Sequence, residues 1–82
     1  MDIAAQVSIY PLRQQHFSPA IGKAADAFRQ HGLNTEVGAM STVISGNADA
    51  LFGALKEVFT GLADKGELVM IVSFSNACPV GK

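Results

Sequence analysis

The sequence has one cysteine, no tryptophan and only 16% charged residues, well under the roughly 25% of an ordinary soluble domain. A lone Cys78 forms no internal disulfide and no CxxC metal or redox pair, which fits a reducing compartment and makes a cytoplasmic location the expectation. Six Lys and Arg against seven Asp and Glu leave a net charge of −1. With no block of like charge, the electrostatic footprint that nucleic acid or anionic lipid would need is missing. The longest apolar runs, such as Leu68 to Val72, fall far short of the roughly 20 residues of a membrane-crossing helix. The opening Met1-Asp2-Ile3 has neither the basic start nor the apolar stretch of a signal peptide. Also lacking are HxxxH, DxD, GxSxG and P-loop patterns, and the glycines at 38, 46, 53, 61 and 66 do not follow a phosphate-cradling spacing. The expectation is a protein that is not an enzyme and carries no cofactor or metal.

What is present is apolar: 49% of 82 residues. That length allows one compact domain over 1–82, with a short flexible tail from about residue 77. A chain this small buries only about 60% of its unfolded surface, against an ordering cost on the order of 120 kcal/mol. Self-association as a homodimer or homotetramer is therefore expected.

Ile3 to Tyr10 alternates, with Ile3, Ala5, Val7 and Ile9 on one side and Ala4, Gln6, Ser8 and Tyr10 on the other, the signature of a strand that Pro11 ends. Ser18-Pro19 reads as a helix start, with Ser18 as cap. Ile21, Ala24, Ala25 and Phe28 follow as one apolar stripe, and Gly32 stops the helix with Leu33 folding back on Phe28. Thr35 to Val37 and Thr42 to Ser45 flank Gly38-Ala39-Met40-Ser41, the pattern of a hairpin or of a bent pair of strands. Asn47 caps a second helix, Asp49 sits in its first turn, Leu51, Leu55, Val58 and Leu62 form its buried stripe, and Lys65-Gly66 closes it. Glu67 to Ser75 is a last strand, apolar on both faces through Ile71.

The order strand, helix, strand, strand, helix, strand is a duplicated split βαβ unit. Right-handed crossovers then give a ferredoxin-like α+β sandwich, a four-stranded antiparallel sheet with both helices on one face. The other face carries Gln6, Ser8 and Tyr10, with Ser73 and Ser75. It is too mixed for a core and too apolar for plain solvent, so assembly sheet to sheet or edge to edge through the sheet is its expected cover.

Candidate chemistry lies near the strand ends. Ser8, Ser41, Thr42, Ser45, Asn47, Ser73, Ser75 and Asn76 supply hydroxyls and amides suited to a neutral heterocycle, although such groups are also ordinary strand and cap residues. Glu36 is the one carboxylate inside a middle strand; it serves a cationic or amino-bearing ligand, or else guards a strand edge against aggregation. Tyr10, Phe52, Phe74 and Met40 could form a slot for an aromatic ring, with Phe52 more simply a core residue between helix and sheet. Gly53 and Gly61 each cost roughly 1 kcal/mol inside a helix, implying close backbone approach there, with helix packing the favoured reason. His31 at a helix C-terminus reads as a solvated residue favoured by the dipole.

The segments Gln6-Val7-Ser8-Ile9-Tyr10-Pro11-Leu12, Glu36-Val37-Gly38-Ala39-Met40-Ser41-Thr42 and Ser75-Asn76-Ala77-Cys78-Pro79 resemble the YkoF-type thiamine-binding family. The resemblance runs over nearly the whole chain, and its middle segment is the most specific. It implies ferredoxin-like domains that associate through their sheets and bind thiamine or its hydroxymethylpyrimidine part in vitamin salvage or transport. It carries a binding role onto Glu36, Met40, Ser41 and Thr42, and further onto Ser8, Tyr10 and Asn76. This chain holds a single copy of the domain, so every subunit of an oligomer must be equivalent. Two other classes remain open: an amino-acid-binding regulatory module resembling the ACT domain, for which Arg13 and Arg29 are the only arginines, or a small enzyme using Glu36 or His16 as acid or base. A purely structural oligomer is the remaining alternative.

Overall fold

The computed structural model describes residues 1–13 and 18–77, the side chains of Ser18 and Pro19 excepted. His16, Cys78, Pro79 and the Ser18 cap therefore lie outside what is described. The elements are β1 (Asp2–Pro11), α1 (Ser18–Gln30), β2 (Asn34–Val37), β3 (Thr42–Asn47), α2 (Ala48–Ala63) and β4 (Leu68–Ser75). The strands form one antiparallel sheet in the order β2-β3-β1-β4. This is the ferredoxin-like βαββαβ sandwich.

Register turns the period-2 pattern into two faces, because residues directly opposite in an antiparallel pair share a side. Ala5 pairs with Ile44 and Phe74, and Val7 with Thr42 and Val72, which defines the face beneath the helices. Ala5, Val7 and Ile44 are buried there with Phe28 and Leu33 and with Leu51, Ala54, Leu55 and Val58 of α2. The opposite face sets Glu36, Val43, Gln6 and Ser73 in one row across all four strands, with Ser8 opposite Ile71 and Tyr10 opposite Val69.

Local chemistry ends α1 and starts α2 where the sequence indicated. Gly32, at φ 78°, lets α1 close in a Schellman motif: the Leu33 N–H donates to Phe28 O at 3.1 Å and the Gly32 N–H to Arg29 O at 3.0 Å. Leu33 then enters the core. Gly46, at φ 152°, passes so close beneath it that a Cβ there would meet Leu33 Cδ2 at 2.9 Å. Asn47 caps α2, its Oδ1 accepting from the Asp49 N–H at 2.9 Å and the Ala50 N–H at 3.3 Å.

Five expectations about these elements need correction. Helix α2 ends at Ala63 with Asp64 as its cap, before Lys65-Gly66, and β4 starts at Leu68 rather than Glu67. Phe52 is 53% exposed instead of packed in the core, because it lies about 100° around the helix from Leu51. Nothing lies within 4 Å of a Cβ built on Gly53 or Gly61, so close packing does not account for those glycines. His31 is half-buried, its Nε2 lying 3.2 Å from Glu57 Oε1 across the two helices, rather than being simply solvated.

Candidate functional site

At one end of the sheet, the last residues of β1 and the β2–β3 hairpin enclose a cleft of about 340 Å³. Val7, Ile9 and Ile21 supply apolar surface, Tyr10 and Pro11 border it from β1, and the loop Gly38–Ser41 with Thr42 completes it. The loop is tightly closed: the Gly38 N–H donates to Ser41 O at 2.8 Å, and a Cβ on Gly38 would meet that same oxygen at 3.0 Å. A second clasp works on the open face, where Gln6 Nε2 donates to Ser41 Oγ at 3.0 Å. With its backbone held at both ends, the hairpin presents Met40 at its tip, 88% exposed. A thioether on an exposed turn is a soft, polarisable contact for a flat ring rather than a piece of core.

Among the described residues, no charged side chain lines this cleft. Arg13, two residues beyond Pro11, is paired with Glu67 at 2.7 Å. Among the described residues no fully buried side-chain nitrogen or oxygen lacks a hydrogen-bond partner, and no three His, Cys, Asp or Glu side chains are grouped to hold a metal. Among the described residues, the cleft lining thus brings together a tyrosine, a methionine, a serine and a threonine with the loop backbone, residue types that bind a neutral ring by stacking and hydrogen bonds.

The seven residues expected at a binding site divide three ways. Tyr10, Met40, Ser41 and Thr42 come together in the cleft. Ser8 and Glu36 lie on the open face; Glu36 is on β2, an edge strand of the sheet, and not inside a middle strand as expected, because β3 and β1 take the two inner places. Glu36 is opposite Val43, which makes it a diagonal neighbour of Ser41 at roughly 7 Å by strand geometry. Asn76 is at the far end: it follows Ser75, which pairs with Ala4, whereas Tyr10 lies six residues further along β1, about 20 Å away. The slot imagined from Tyr10, Met40, Phe52 and Phe74 likewise separates. Phe52 and Phe74 are in contact with centroids 5.0 Å apart, in a groove shared with Asn76, while Tyr10 and Met40 share the cleft. Gln6 was not singled out for the site, yet it fixes Ser41. Its signal was present in its alternation with Ser8 and Tyr10.

The family model "YKOF-related Family" matches residues 2–81. The chain belongs to this YkoF-related family. A curated relative, the UPF0045 protein MJ1052 of Methanocaldococcus jannaschii, is 38% identical over 56 residues, covering 67% of this chain and 56% of the relative. The matched stretch thus spans little more than half of that relative's length. A crystal structure of the MJ1052 protein superposes with a TM-score of 0.84 at 28% identity, over 95% of this chain and 82% of that one. A Bacillus cereus domain of unknown function, DUF77, gives 0.78 at 24% identity, over 100% and 82%. A Thermotoga maritima protein, provisionally titled as serving thiamine biosynthesis or salvage, also gives 0.78, at 17% identity over 92% and 83%. The last two likenesses concern the fold. Among the described residues, no helix of this family member is long and apolar enough to cross a membrane.

Proposed function

We propose that the chain binds thiamine or its hydroxymethylpyrimidine part without transforming it, as a cytoplasmic protein of vitamin salvage or transport. The observation that carries this reading is the uncharged cleft in which Tyr10, Met40, Ser41 and Thr42 meet. An aminopyrimidine is flat, neutral and rich in donors and acceptors; a tyrosine ring, a thioether, two hydroxyls and a hairpin backbone are its chemical complement. The volume is at the lower end of small-molecule sites, suited to one ligand of one or two small rings. Membership of the YkoF-related family and the thiamine biosynthesis or salvage role proposed for the Thermotoga maritima protein support the same ligand class. For thiamine, the thiazolium cation would be offset by the Tyr10 face and, where the ligand reaches over Ser41, by Glu36. No Lys or Arg is among the described residues of the cleft lining, which favours an unphosphorylated ligand over its diphosphate.

A thermal-shift series with thiamine, hydroxymethylpyrimidine, thiamine diphosphate and the common amino acids, followed by calorimetry, tests this. At 100 times its dissociation constant a ligand adds about 2.7 kcal/mol, a rise on the order of 10 °C for a domain this size. No rise with any thiamine compound at millimolar concentration discards the reading, and a rise with amino acids alone replaces it with a regulatory module. Tyr10→Ala is expected to weaken binding by about 2- to 12-fold, the worth of one aromatic stack. Glu36→Gln is expected to weaken thiamine more than the uncharged pyrimidine; unchanged affinity for both removes Glu36 from the site.

A further inference from the structure

The two helices are tied together at one end of their contact and left apart at the other. His31 Nε2 lies 3.2 Å from Glu57 Oε1, which joins the residue after α1 to the middle of α2. Eight residues further along the chain, about 12 Å by helix rise, Lys65 shares a groove with Lys23 of α1. The matching of 31 with 57 and of 23 with 65 makes the helices antiparallel. The positive end of α1 therefore stands beside the negative end of α2, their dipoles largely cancel, and the two ammonium groups set the sign of the potential there. Neither lysine makes an ion pair among the described residues. Asp26 pairs with Arg29 at 3.6 Å, and neither it nor Asp64 is in the groove lining.

Between the charged ends the groove is apolar. Ala24 and Val58 are buried in its floor, and Ala27 and Leu62 are half-buried at its sides. Small side chains let neighbouring helices approach each other, and this contact has Ala24 and Ala27 on one helix and Gly61 on the other. The approach is not made. A Cβ built on Gly61 meets nothing within 4 Å, so a glycine that weakens the helix leaves open space instead of closing a contact. That space is about 270 Å³, just under the usual range of small-molecule sites, and its length along the helices suits a single chain better than fused rings.

We propose that the groove between α1 and α2 is a second binding site, separate from the hairpin cleft, for a small monocarboxylate with an apolar body. The carboxylate lies between Lys23 and Lys65, where it relieves the repulsion of two like charges and joins the helices at the end that His31 and Glu57 leave open. The hydrocarbon body runs over Ala24, Ala27 and Leu62 into the space above Gly61. Glu57 at the far end sets the specificity: a second carboxylate on the ligand would meet its charge, and an amine in place of the acid would meet the two lysines.

Octanoate is the probe, titrated into the full chain and followed by the backbone amide shifts. Saturable shifts at Ala24, Ala27, Gly61 and Leu62 are expected, with weaker binding of the eight-carbon dicarboxylate suberate, of octanol and of octylamine. Lys23→Gln and Lys65→Gln, both at exposed positions, should each weaken octanoate about 2- to 5-fold, as exposed ion pairs do, and together by the product. Gly61→Leu, whose side chain enters the open space, should abolish the shifts. No saturable shift at these residues overturns the proposal. So does octanol binding as tightly as octanoate, or lysine variants that bind octanoate like the parent, since the groove would then not read the charge. Unchanged affinity in Gly61→Leu likewise places the ligand elsewhere; if that variant does not fold, the two lysine variants decide.

Discussion

Strands β3 and β4 both flank β1, and both are dominated by apolar and small hydroxyl side chains, yet they meet different fates. In β3, Thr42, Ile44 and Ser45 are buried, whereas β4 has no buried residue. Ile44 has no exposed surface; Ile71 is 55% exposed. Their hydrophobicity is identical. What differs is place: Ile44 points into the helices from an inner strand and joins Phe28 and Leu51 in the core, while Ile71 points to the open face from the last strand, opposite Ser8. Burial here follows from which face the helices cover and how far they reach over it, and the apolar residues on the other face or beyond that limit stay exposed.

The sharpest way to break the comparison is to truncate both isoleucines. Ile44→Ala should cost about 2–5 kcal/mol, because a filled site at the centre of the core becomes a cavity. Ile71→Ala, measured at the lowest practical protein concentration, should change stability by no more than about 0.5 kcal/mol, as exposed sites do. Urea denaturation midpoints at unchanged slope give both values. Equal losses at low concentration would mean that β4 is covered within the monomer. A loss for Ile71→Ala that grows with concentration would show that association covers it.

The same boundary separates what the sequence could reveal from what it could not. Interactions closed within a few residues were legible: the Gly32–Leu33 ending of α1, the Asn47 cap, the Gly38–Ser41 hairpin and the alternation of β1 all follow from local backbone geometry. Longer-range facts were not. Periodicity marked the buried stripe of α2, but Phe52 sits beside that stripe, and whether a flanking residue is covered depends on how far the sheet extends beneath it. Tyr10, Met40, Ser41 and Thr42 meet because they come from adjoining strand ends and one hairpin. Residue type groups Asn76 with Ser41 and Thr42, and the family resemblance groups it with Tyr10 and Met40; only the β1–β4 register shows it about 20 Å away from Tyr10.

An intermediate effect is expected at the junction that gives β3 its advantage. Asn47 is the last residue of β3 and the cap of α2, so strand and helix are locked together there, and Ala48 N–H also donates to Met1 O at 2.9 Å. Among the described residues, no helix begins at the end of β4. Asn47→Ala leaves the Asp49 and Ala50 N–H groups without their acceptor and should cost about 1 kcal/mol, or roughly 4–8 °C in melting temperature. Asn47→Asp, which preserves the acceptor and adds a charge favourable to a helix N-terminus, should hold the melting temperature near the parent value. A drop as large with Asp as with Ala would show that the amide, rather than the capping oxygen, is what matters.

The smallest effect, and the one of opposite sign, concerns the remaining surface of α2. The flank bearing Phe52 and Phe59 is apolar and faces the β4 side, whereas the flank toward α1 carries Glu57 and Gly61 and borders a groove with Lys23 and Lys65. Gly53 lies between the two, facing solvent. A helix-interior glycine costs roughly 0.5–1 kcal/mol relative to alanine, and a methyl group at either site enters open space. Gly53→Ala and Gly61→Ala should therefore each stabilise the fold by about that amount, additively, since the sites are more than two helical turns apart. A gain at both sites would mean that the glycines serve no packing purpose in the isolated domain. A loss at Gly61 alone would identify the groove between the helices as a place where something outside the monomer comes close to the α2 backbone, and would extend the contrast between strands to the two flanks of one helix.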